Sequence, residues 1–194
     1  MAIKILGGSL KGAFLQVNEL KTRPTGVLLK RKIFDARQRF DGIHFVDLCA
    51  GSGGIGFEAL SRGASALDLV ESDYYANKLL ISTLKELQNK YTNNKSLDDV
   101  RIHYMSCLKY VEHILPQGKS SEQMILFFDP PYAETNLYLQ TMEKIKANNF
   151  KGEIWIEYDE KSDKKLLDEI NSLYQLSGIR KYTHGQHSII IVQF

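Results

Sequence analysis

The sequence has few of the residues that build metal sites, disulfides or membrane spans. Its two cysteines, Cys49 and Cys107, form no CxxC pair, and none of its five histidines belongs to an HExxH or similar ligand motif. We therefore expect two reduced thiols and no metal. No apolar run approaches the roughly 20 residues that cross a bilayer, and the chain opens without an apolar leader. These absences predict a cytoplasmic protein with no membrane segment, and the lack of a coiled-coil pattern predicts a monomer.

Charge is distributed unevenly along the chain. Residues 1–40 have nine basic and two acidic side chains, a net charge of +7, although the whole chain has a net charge of only +2. The remaining residues are therefore net acidic. We interpret residues 1–40 as a basic extension that docks onto a polyanion and residues 41–194 as the folded domain. A solvated lysine-rich surface is the alternative.

Hydrophobic periodicity predicts a hairpin followed by alternating strands and helices. The hairpin pairs residues 3–6 with 13–17 around a glycine-rich turn, and a helix follows over about residues 26–40. The predicted strands are 43–48, 66–70, 100–105, 124–128, 153–158, 174–182 and 188–194; the helices are 55–61, 74–91, 108–115, 137–147 and 164–173; and 92–99 and 117–123 are loops. Strands separated by helices imply a mostly parallel α/β sheet that binds ligands at the carboxyl ends of its strands.

A glycine-rich loop follows the first strand of this sheet. Gly51, Gly53 and Gly56 fit GxGxxG, where glycines let the backbone turn and approach a ligand. Glu71 ends the following strand, and a carboxylate there accepts the hydroxyl hydrogens of a ribose. Asp47, four residues before the first glycine, suits the ammonium of an amino-acid moiety and disfavours a pyrophosphate on the same loop. The loop alone is compatible with a dinucleotide oxidoreductase as well.

The tetrapeptide Asp129-Pro130-Pro131-Tyr132 directly follows the predicted strand 124–128. Its prolines fix the backbone, so the Asp129 carboxylate and the Pro130 carbonyl form a rigid pair of acceptors. Two acceptors that hold the hydrogens of an exocyclic base amine turn the nitrogen lone pair toward an electrophile, and the carboxylate stabilises the developing charge. The sulfonium of S-adenosylmethionine is such an electrophile. Tyr132 offers an aromatic face to the base.

Several motifs together carry a family resemblance. In chain order they are Leu6–Gly12 (LGGSLKG), Arg23–Thr25 (RPT), Asp47–Gly56, Glu58–Ala64 (EALSRGA) and Asp129–Tyr132 (DPPY). With this order the chain resembles the RsmD-like family of bacterial 16S ribosomal RNA guanine-N2 methyltransferases over most of its length. The resemblance implies a Rossmann-like, seven-stranded class I fold with a small N-terminal hairpin and helix extension. It also implies methyl transfer from S-adenosylmethionine to the N2 amine of a guanine in 16S ribosomal RNA.

The resemblance further implies roles for individual residues. Cofactor contacts would be Asp47, Ala50, Gly51, Ser52, Gly53 and Glu71, with Ser106 toward the adenine because the third strand does not end in the usual acid. Asp129, Pro130 and Tyr132 would hold the guanine, and Lys11, Arg23, Lys30 and Arg31 would contact RNA. Arg31 stands where the family tends to have an acid, which makes the extension more basic. The expected partner is ribosomal RNA, free or within a small-subunit assembly particle.

Three other functions stay open from the sequence alone. An N6-adenine methyltransferase of DNA or RNA shares the DPPY motif and the amine chemistry, although the chain has no evident large target-recognition domain. An NAD(P)-dependent oxidoreductase explains the glycine loop but gives DPPY no role. A non-catalytic RNA-binding module with a relic cofactor fold explains the basic residues but not the intact Asp129.

Overall fold

The computed structural model describes residues 2–17, 27–115, 123–130, 135–159, 168, 170 and 179–193. Its strands are β1 (Ala2–Lys4), β2 (Phe14–Gln16), β3 (His44–Asp47), β4 (Ala66–Glu71), β5 (Val100–Tyr104), β6 (Met124–Phe128), β7 (Glu153–Asp159), β8 (Arg180–His184) and β9 (His187–Gln193). Its helices are α1 (Val27–Ala36), α2 (Gly54–Ser61), α3 (Tyr74–Lys90), α4 (Cys107–His113) and α5 (Thr135–Ala147). Among the described helices, none is long and apolar enough to cross a membrane.

Seven strands form one sheet in the order β5-β4-β3-β6-β7-β9-β8. The first five in this order are parallel, and β9 runs antiparallel to both β7 and β8. The predicted seven-stranded α/β sheet is thus confirmed. The chain proceeds from β3 outward through β4 to β5 and then returns to place β6 on the other side of β3. Strand order therefore reverses between β3 and β6, where open α/β sheets bind their ligands.

Apolar layers cover both faces of the sheet. Strand β6 is buried along its whole length, as its uninterrupted sequence MILFF predicts for a central parallel strand. One face has an aromatic cluster of Phe34 in α1, Phe40 after it, Phe45 in β3 and Trp155 in β7, with contacting ring centroids 5.5 to 6.4 Å apart. On the other face, α4 and α5 cover a second apolar cluster. Burial of this apolar surface is the main driving force for folding.

The N-terminal hairpin β1–β2 is anchored to α2 by the EALSRGA motif. Glu58 is fully buried, and its two carboxylate oxygens accept hydrogen bonds from the backbone N–H groups of Leu6 and Gly7 at 2.8 and 2.9 Å. Gly8 has a φ of +75°, and a Cβ at this position would lie 1.7 Å from the carbonyl oxygen of Ser61. The glycine-rich turn and the EALSRGA motif therefore pack directly against each other.

Two local predictions differ from the structure. Helix α1 ends at Ala36, and Phe40 reaches the aromatic cluster from the coil that follows. The segment predicted as a loop over 92–99 contains a 3₁₀ helix at Lys95–Asp99, which begins where the Asn94 side chain accepts a backbone hydrogen bond. Outside the described residues lie most of the predicted helix 164–173, the first part of the strand 174–182 and most of the loop 117–123.

Candidate functional site

The glycine loop connects β3 to α2 at the point of strand reversal. Gly53 has a φ of +76°, and a Cβ there would lie 2.7 Å from the ring of Phe57. Gly56 packs so closely on β4 that a Cβ would lie 2.6 Å from the side chain of Leu69. Both positions therefore require glycine, the first for its backbone conformation and the second for the close approach of helix and sheet.

Glu71 holds the glycine loop from the neighbouring strand β4. Its Oε2 accepts a hydrogen bond from the backbone N–H of Gly51 at 2.8 Å, and its Oε1 accepts one from the N–H of Asp73 at 2.7 Å. A carboxylate oxygen has two acceptor positions, so each oxygen keeps one for a further donor. Asp73 caps α3, because its side chain accepts hydrogen bonds from two N–H groups of the first turn.

Asp47 is the last residue of β3 and is only 2% exposed. Its Oδ2 accepts a hydrogen bond from the N–H of Gly56 at 3.2 Å, whereas its Oδ1 has no partner among the described residues. Burial, followed by the charges of Glu71 and Glu157, raises the pKa of Asp47 to about 7 against backbone hydrogen bonds that lower it. A buried carboxylate with an unpaired oxygen favours a cationic ligand, because a cation offsets the cost of its desolvated charge.

Asp68 shows how the fold satisfies a buried acid by itself. It is also 2% exposed, but the Tyr110 hydroxyl donates to its carboxylate at 2.7 Å, and ring nitrogens of His44 and His103 lie 2.9 and 3.2 Å away. Burial alone would raise the pKa of Asp68, but these hydrogen bonds bring it well below its usual range. In the described part of the chain, Asp47 has no comparable set of donors, and this contrast indicates a ligand-binding acid.

Asp129 lies beside the glycine loop, one strand away from Asp47. Asp47 is in register with Phe127 of β6, and the N–H of Leu48 donates to the Phe127 carbonyl at 2.9 Å. Asp129 follows two residues later and is partly exposed at the sheet edge. Desolvation raises its pKa well above the usual range, and the charges of Glu157 and Asp47 raise it further. The two predicted acids thus lie close enough to influence each other.

The carbonyl of Pro130 lies near the hydroxyl of a buried tyrosine. The Tyr138 hydroxyl donates a hydrogen bond to the backbone oxygen of Glu157 at 2.9 Å and lies 3.5 Å from the carbonyl oxygen of Pro130. Tyr138 is fully buried, so its ring packs in the core behind this carbonyl. Pro131 and Tyr132 lie outside the described residues.

Glu157 is a site residue that the motifs did not indicate. It lies on β7, is 2% exposed, and comes level with Asp129 because Ile156 is in register with Phe128. It belongs to no recognisable motif. The sequence feature that could have indicated Glu157 is that it is the one acid in the apolar run IWIEY, residues 154–158. A buried charge in such a strand is costly unless other groups pair with it.

The remaining predicted cofactor residues lie along the same edge of the sheet. Ala50 is buried and Ser52 partly exposed within the glycine loop. Ser106 follows β5, on the far side of β4, and caps α4 by accepting a backbone hydrogen bond at 3.4 Å. Met105 donates its N–H to the backbone oxygen of Glu71 at 3.2 Å, which fixes the Ser106 turn beside Glu71.

The predicted RNA contacts occupy different environments. Lys11 and Arg31 are exposed, and Arg23 lies outside the described residues. Lys30 is 4% exposed, its Nζ lies 3.1 Å from the Glu58 carboxylate, and it donates to a backbone carbonyl of α2 at 2.7 Å. The prediction of Lys30 as an RNA contact is therefore wrong, because its ammonium is enclosed and neutralises a buried acid.

The chain is similar to known proteins over nearly its whole length. The family model described as conserved hypothetical protein 95 matches residues 3–193. YlbH of Bacillus subtilis is 31% identical over 193 residues, which cover 97% of each chain. Ribosomal RNA small subunit methyltransferase D of Haemophilus influenzae is 31% identical over 174 residues, 87% of this chain and 84% of its own. The solved structure of yhhF from Escherichia coli matches with a TM-score of 0.73 at 22% identity, over 100% of this chain and 98% of that one.

Fold and sequence lead to one assignment. The sheet is the Rossmann-like, seven-stranded class I methyltransferase sheet that the sequence predicts. The oxidoreductase alternative loses its support, since the glycine loop that suggested it lies in a chain with methyltransferase relatives. The chain belongs to the family described as conserved hypothetical protein 95, the family of the RsmD methyltransferases.

Proposed function

We propose that this protein transfers a methyl group from S-adenosylmethionine to the exocyclic N2 amine of a guanine in 16S ribosomal RNA. One juxtaposition carries the proposal. The unpaired Oδ1 of Asp47 lies at the end of β3, and the acceptors of Asp129 and Pro130 follow the adjacent strand β6. The first suits the positive amino-acid end of the cofactor and the second suits a base amine, so the two reactants would meet between neighbouring strands.

The residues of the loop fit the cofactor in composition and charge. Asp47 Oδ1 would take the ammonium, and a bound cation there would lower the raised pKa of Asp47. The free acceptor positions of Glu71 would take the ribose hydroxyls, and the Ser106 turn lies beside Glu71 on the side proposed for the adenine. The loop backbone at Ala50, Gly51, Ser52 and Gly53 would approach the amino-acid end. When bound, the cofactor supplies an activated methyl group on a positively charged sulfur.

Asp129 and Pro130 would prepare the amine for attack. Their oxygens would accept its two hydrogens, which withdraws the nitrogen lone pair from the ring and aims it at the methyl carbon. Methylation would form one N–C bond, break the S–CH3 bond of the donor, which leaves as S-adenosylhomocysteine, and release one proton from nitrogen. Asp129 is the group placed to accept that proton, and the raised pKa of its carboxyl suits the task. Tyr132, next in the motif, is proposed to stack on the base.

The N-terminal region is proposed to dock the RNA. Within residues 1–40 the exposed side chains of Lys11 and Arg31, together with Arg23, would contact phosphates and hold the RNA without reading its sequence. The partner that we propose is ribosomal RNA, free or within a small-subunit assembly particle. We also propose that the protein works as a monomer in the cytoplasm.

Product analysis tests this function. The purified protein is incubated with 16S ribosomal RNA and S-adenosylmethionine carrying an isotope-labelled methyl group, and the digested nucleosides are identified by mass spectrometry. We expect N2-methylguanosine, and a fall in turnover of about 10²–10³-fold for Asp129→Ala, as for removal of one electrostatic stabiliser. Asp99→Ala, an exposed aspartate in the 3₁₀ helix, is the matched control with unchanged turnover. N6-methyladenosine as the product would assign the adenine alternative instead.

A further inference from the structure

Glu157 is as deeply buried as Asp47, each being 2% exposed, yet it has no task in the methyl transfer described above. We propose that Glu157 selects guanine by accepting a hydrogen bond from the ring N1–H group beside the target amine. The inference rests on the proposed function and extends it from the amine to the identity of the base.

Strand register places Glu157 next to the acceptors for the amine. Phe127 and Trp155 are in register, and both contribute to the apolar cluster on one face of the sheet. Side chains alternate between faces, so Glu157, two residues after Trp155, returns to that face. The extended backbone that precedes a proline continues the alternation to Asp129. The two side chains therefore project from the same face, from backbones that lie one strand spacing, ~4.8 Å, apart.

The hydroxyl of one tyrosine lies close to both segments. The hydroxyl of Tyr138 donates to the backbone oxygen of Glu157 at 2.9 Å and lies 3.5 Å from the carbonyl oxygen of Pro130. The strand that holds Glu157 and the proposed amine acceptor thus both lie against one fully buried side chain. The charge of Glu157 also raises the pKa of both Asp47 and Asp129, which means that the three carboxyls influence one another.

The chemistry of the bases decides what such an acceptor selects. Of the bases with an exocyclic amine, only guanine has an N–H donor beside it on the ring; adenine and cytosine have a nitrogen lone pair there. With the amine held by Asp129 and Pro130, the adjacent ring position faces the next acceptor along the sheet edge. A carboxylate at that place accepts from guanine and repels the other two bases. A carboxylate has about four acceptor positions, so it can accept from a base while it keeps hydrogen bonds within the protein.

The test removes the N1–H group and the carboxylate separately. The guanine that the wild-type protein methylates in 16S ribosomal RNA is first located by mass spectrometry. It is then replaced in a ligated RNA by 2-aminopurine, which keeps the amine but has a lone pair at N1. We expect kcat/KM of the wild type to fall by about 10–100-fold, the effect of losing a hydrogen bond to a charged group. The amide of Glu157→Gln can also donate a hydrogen bond. For this variant the ratio of kcat/KM on guanine to kcat/KM on 2-aminopurine should be at least about fivefold smaller than for the wild type. Glu143→Gln, the same change on an exposed helix position, should lose as much kcat/KM on 2-aminopurine as the wild type does.

The outcomes separate this inference from the function on which it rests. If no guanine is methylated, the proposed function fails and the role of Glu157 fails with it. If guanine is methylated but the fall is equal in the wild type and in Glu157→Gln, the methyl transfer stands and the selection by Glu157 is overturned. Equal wild-type rates on guanine and 2-aminopurine overturn it without any variant. Glu157→Asp, which keeps the charge but withdraws the acceptor, serves the same comparison if the glutamine variant does not fold.

Discussion

The carboxylate of Glu71 accepts a hydrogen bond from the backbone N–H of Gly51 at 2.8 Å, and this bond ties the end of β4 to the glycine loop that follows β3. The other carboxylate oxygen is held by the N–H of Asp73 at 2.7 Å. Glu71 is therefore oriented before any ligand arrives, and the loop takes its shape partly from the residue proposed to bind the ribose. One side chain supports both the backbone and the ligand.

Removal of Glu71 should weaken cofactor binding strongly. Glu71→Ala deletes the acceptors proposed for the ribose and frees the Gly51 N–H, so we predict a rise of about 10–100-fold in the Kd of S-adenosylhomocysteine. Isothermal titration calorimetry measures the change. Glu143→Ala, on the exposed side of α5, should bind like the wild type. An unchanged Kd in Glu71→Ala would mean that this carboxylate does not contact the ligand.

Asp47 should make stability depend on pH in a defined direction. Its folded-state pKa of about 7 lies above its ordinary value of 3.8, so the folded protein holds this proton more tightly than the unfolded chain. Asp47 therefore stabilises the fold at low pH, and that contribution is lost as pH rises from about 4 to about 7. We predict that the Tm of Asp47→Asn minus the Tm of the wild type increases as pH rises from about 5 to about 8. Thermal denaturation of the ligand-free proteins checks this, and parallel pH profiles would contradict it.

The contiguous motifs made much of the site predictable. The glycine loop and the Asp129-Pro130 pair are short stretches whose chemistry depends on backbone conformation, which glycine and proline fix locally. The alternation of strands and helices then placed both at the carboxyl edge of one sheet. Glu157 was not predictable in this way, because its meaning depends on the register of β7 against β6, which no local pattern encodes.

Helix α1 shows a second limit of sequence patterns. Leu28 is 51% exposed and Lys30 is 4% exposed, the reverse of what hydrophobicity predicts. The reason lies on another helix, since the buried Glu58 of α2 needs positive partners, and the Lys30 Nζ at 3.1 Å joins the Arg62 Nε at 2.8 Å in that role. A charge count over residues 1–40 therefore assigned Lys30 to RNA binding, although Lys30 pairs with a buried acid inside the fold.

This difference predicts opposite effects for two neighbouring basic residues. Lys30→Met removes one of two cations beside the buried Glu58, the other being Arg62 with its Nε at 2.8 Å, and should lower the free energy of unfolding by about 2 kcal/mol, while the salt dependence of RNA binding stays unchanged. Arg31→Ala should leave stability unchanged and reduce the slope of log K against log salt concentration by about one. Urea denaturation and RNA binding at several salt concentrations measure the two quantities. A reduced salt slope in a fully stable Lys30→Met protein would return Lys30 to the RNA interface.

Gly8 should be far less replaceable than a glycine with similar backbone geometry elsewhere. Gly8→Ala adds a Cβ 1.7 Å from the Ser61 carbonyl oxygen, whereas Gly185, with a φ of +63°, has nothing within 4 Å of an added Cβ. We predict a loss of about 3 kcal/mol for Gly8→Ala, from backbone strain and overpacking together, and about 1 kcal/mol for Gly185→Ala from strain alone. Equal losses in urea denaturation would show that the hairpin does not depend on its contact with α2.

The central claim is that Asp129 and Pro130 hold a guanine amine for methylation. The most direct test is mass spectrometry of 16S ribosomal RNA from a strain that lacks this gene, complemented with the wild type or with Asp129→Ala. We predict that one N2-methylguanosine disappears in the deletion strain, returns with the wild type and does not return with the variant. An unchanged N2-methylguanosine content after deletion, or full restoration by Asp129→Ala, would contradict the claim.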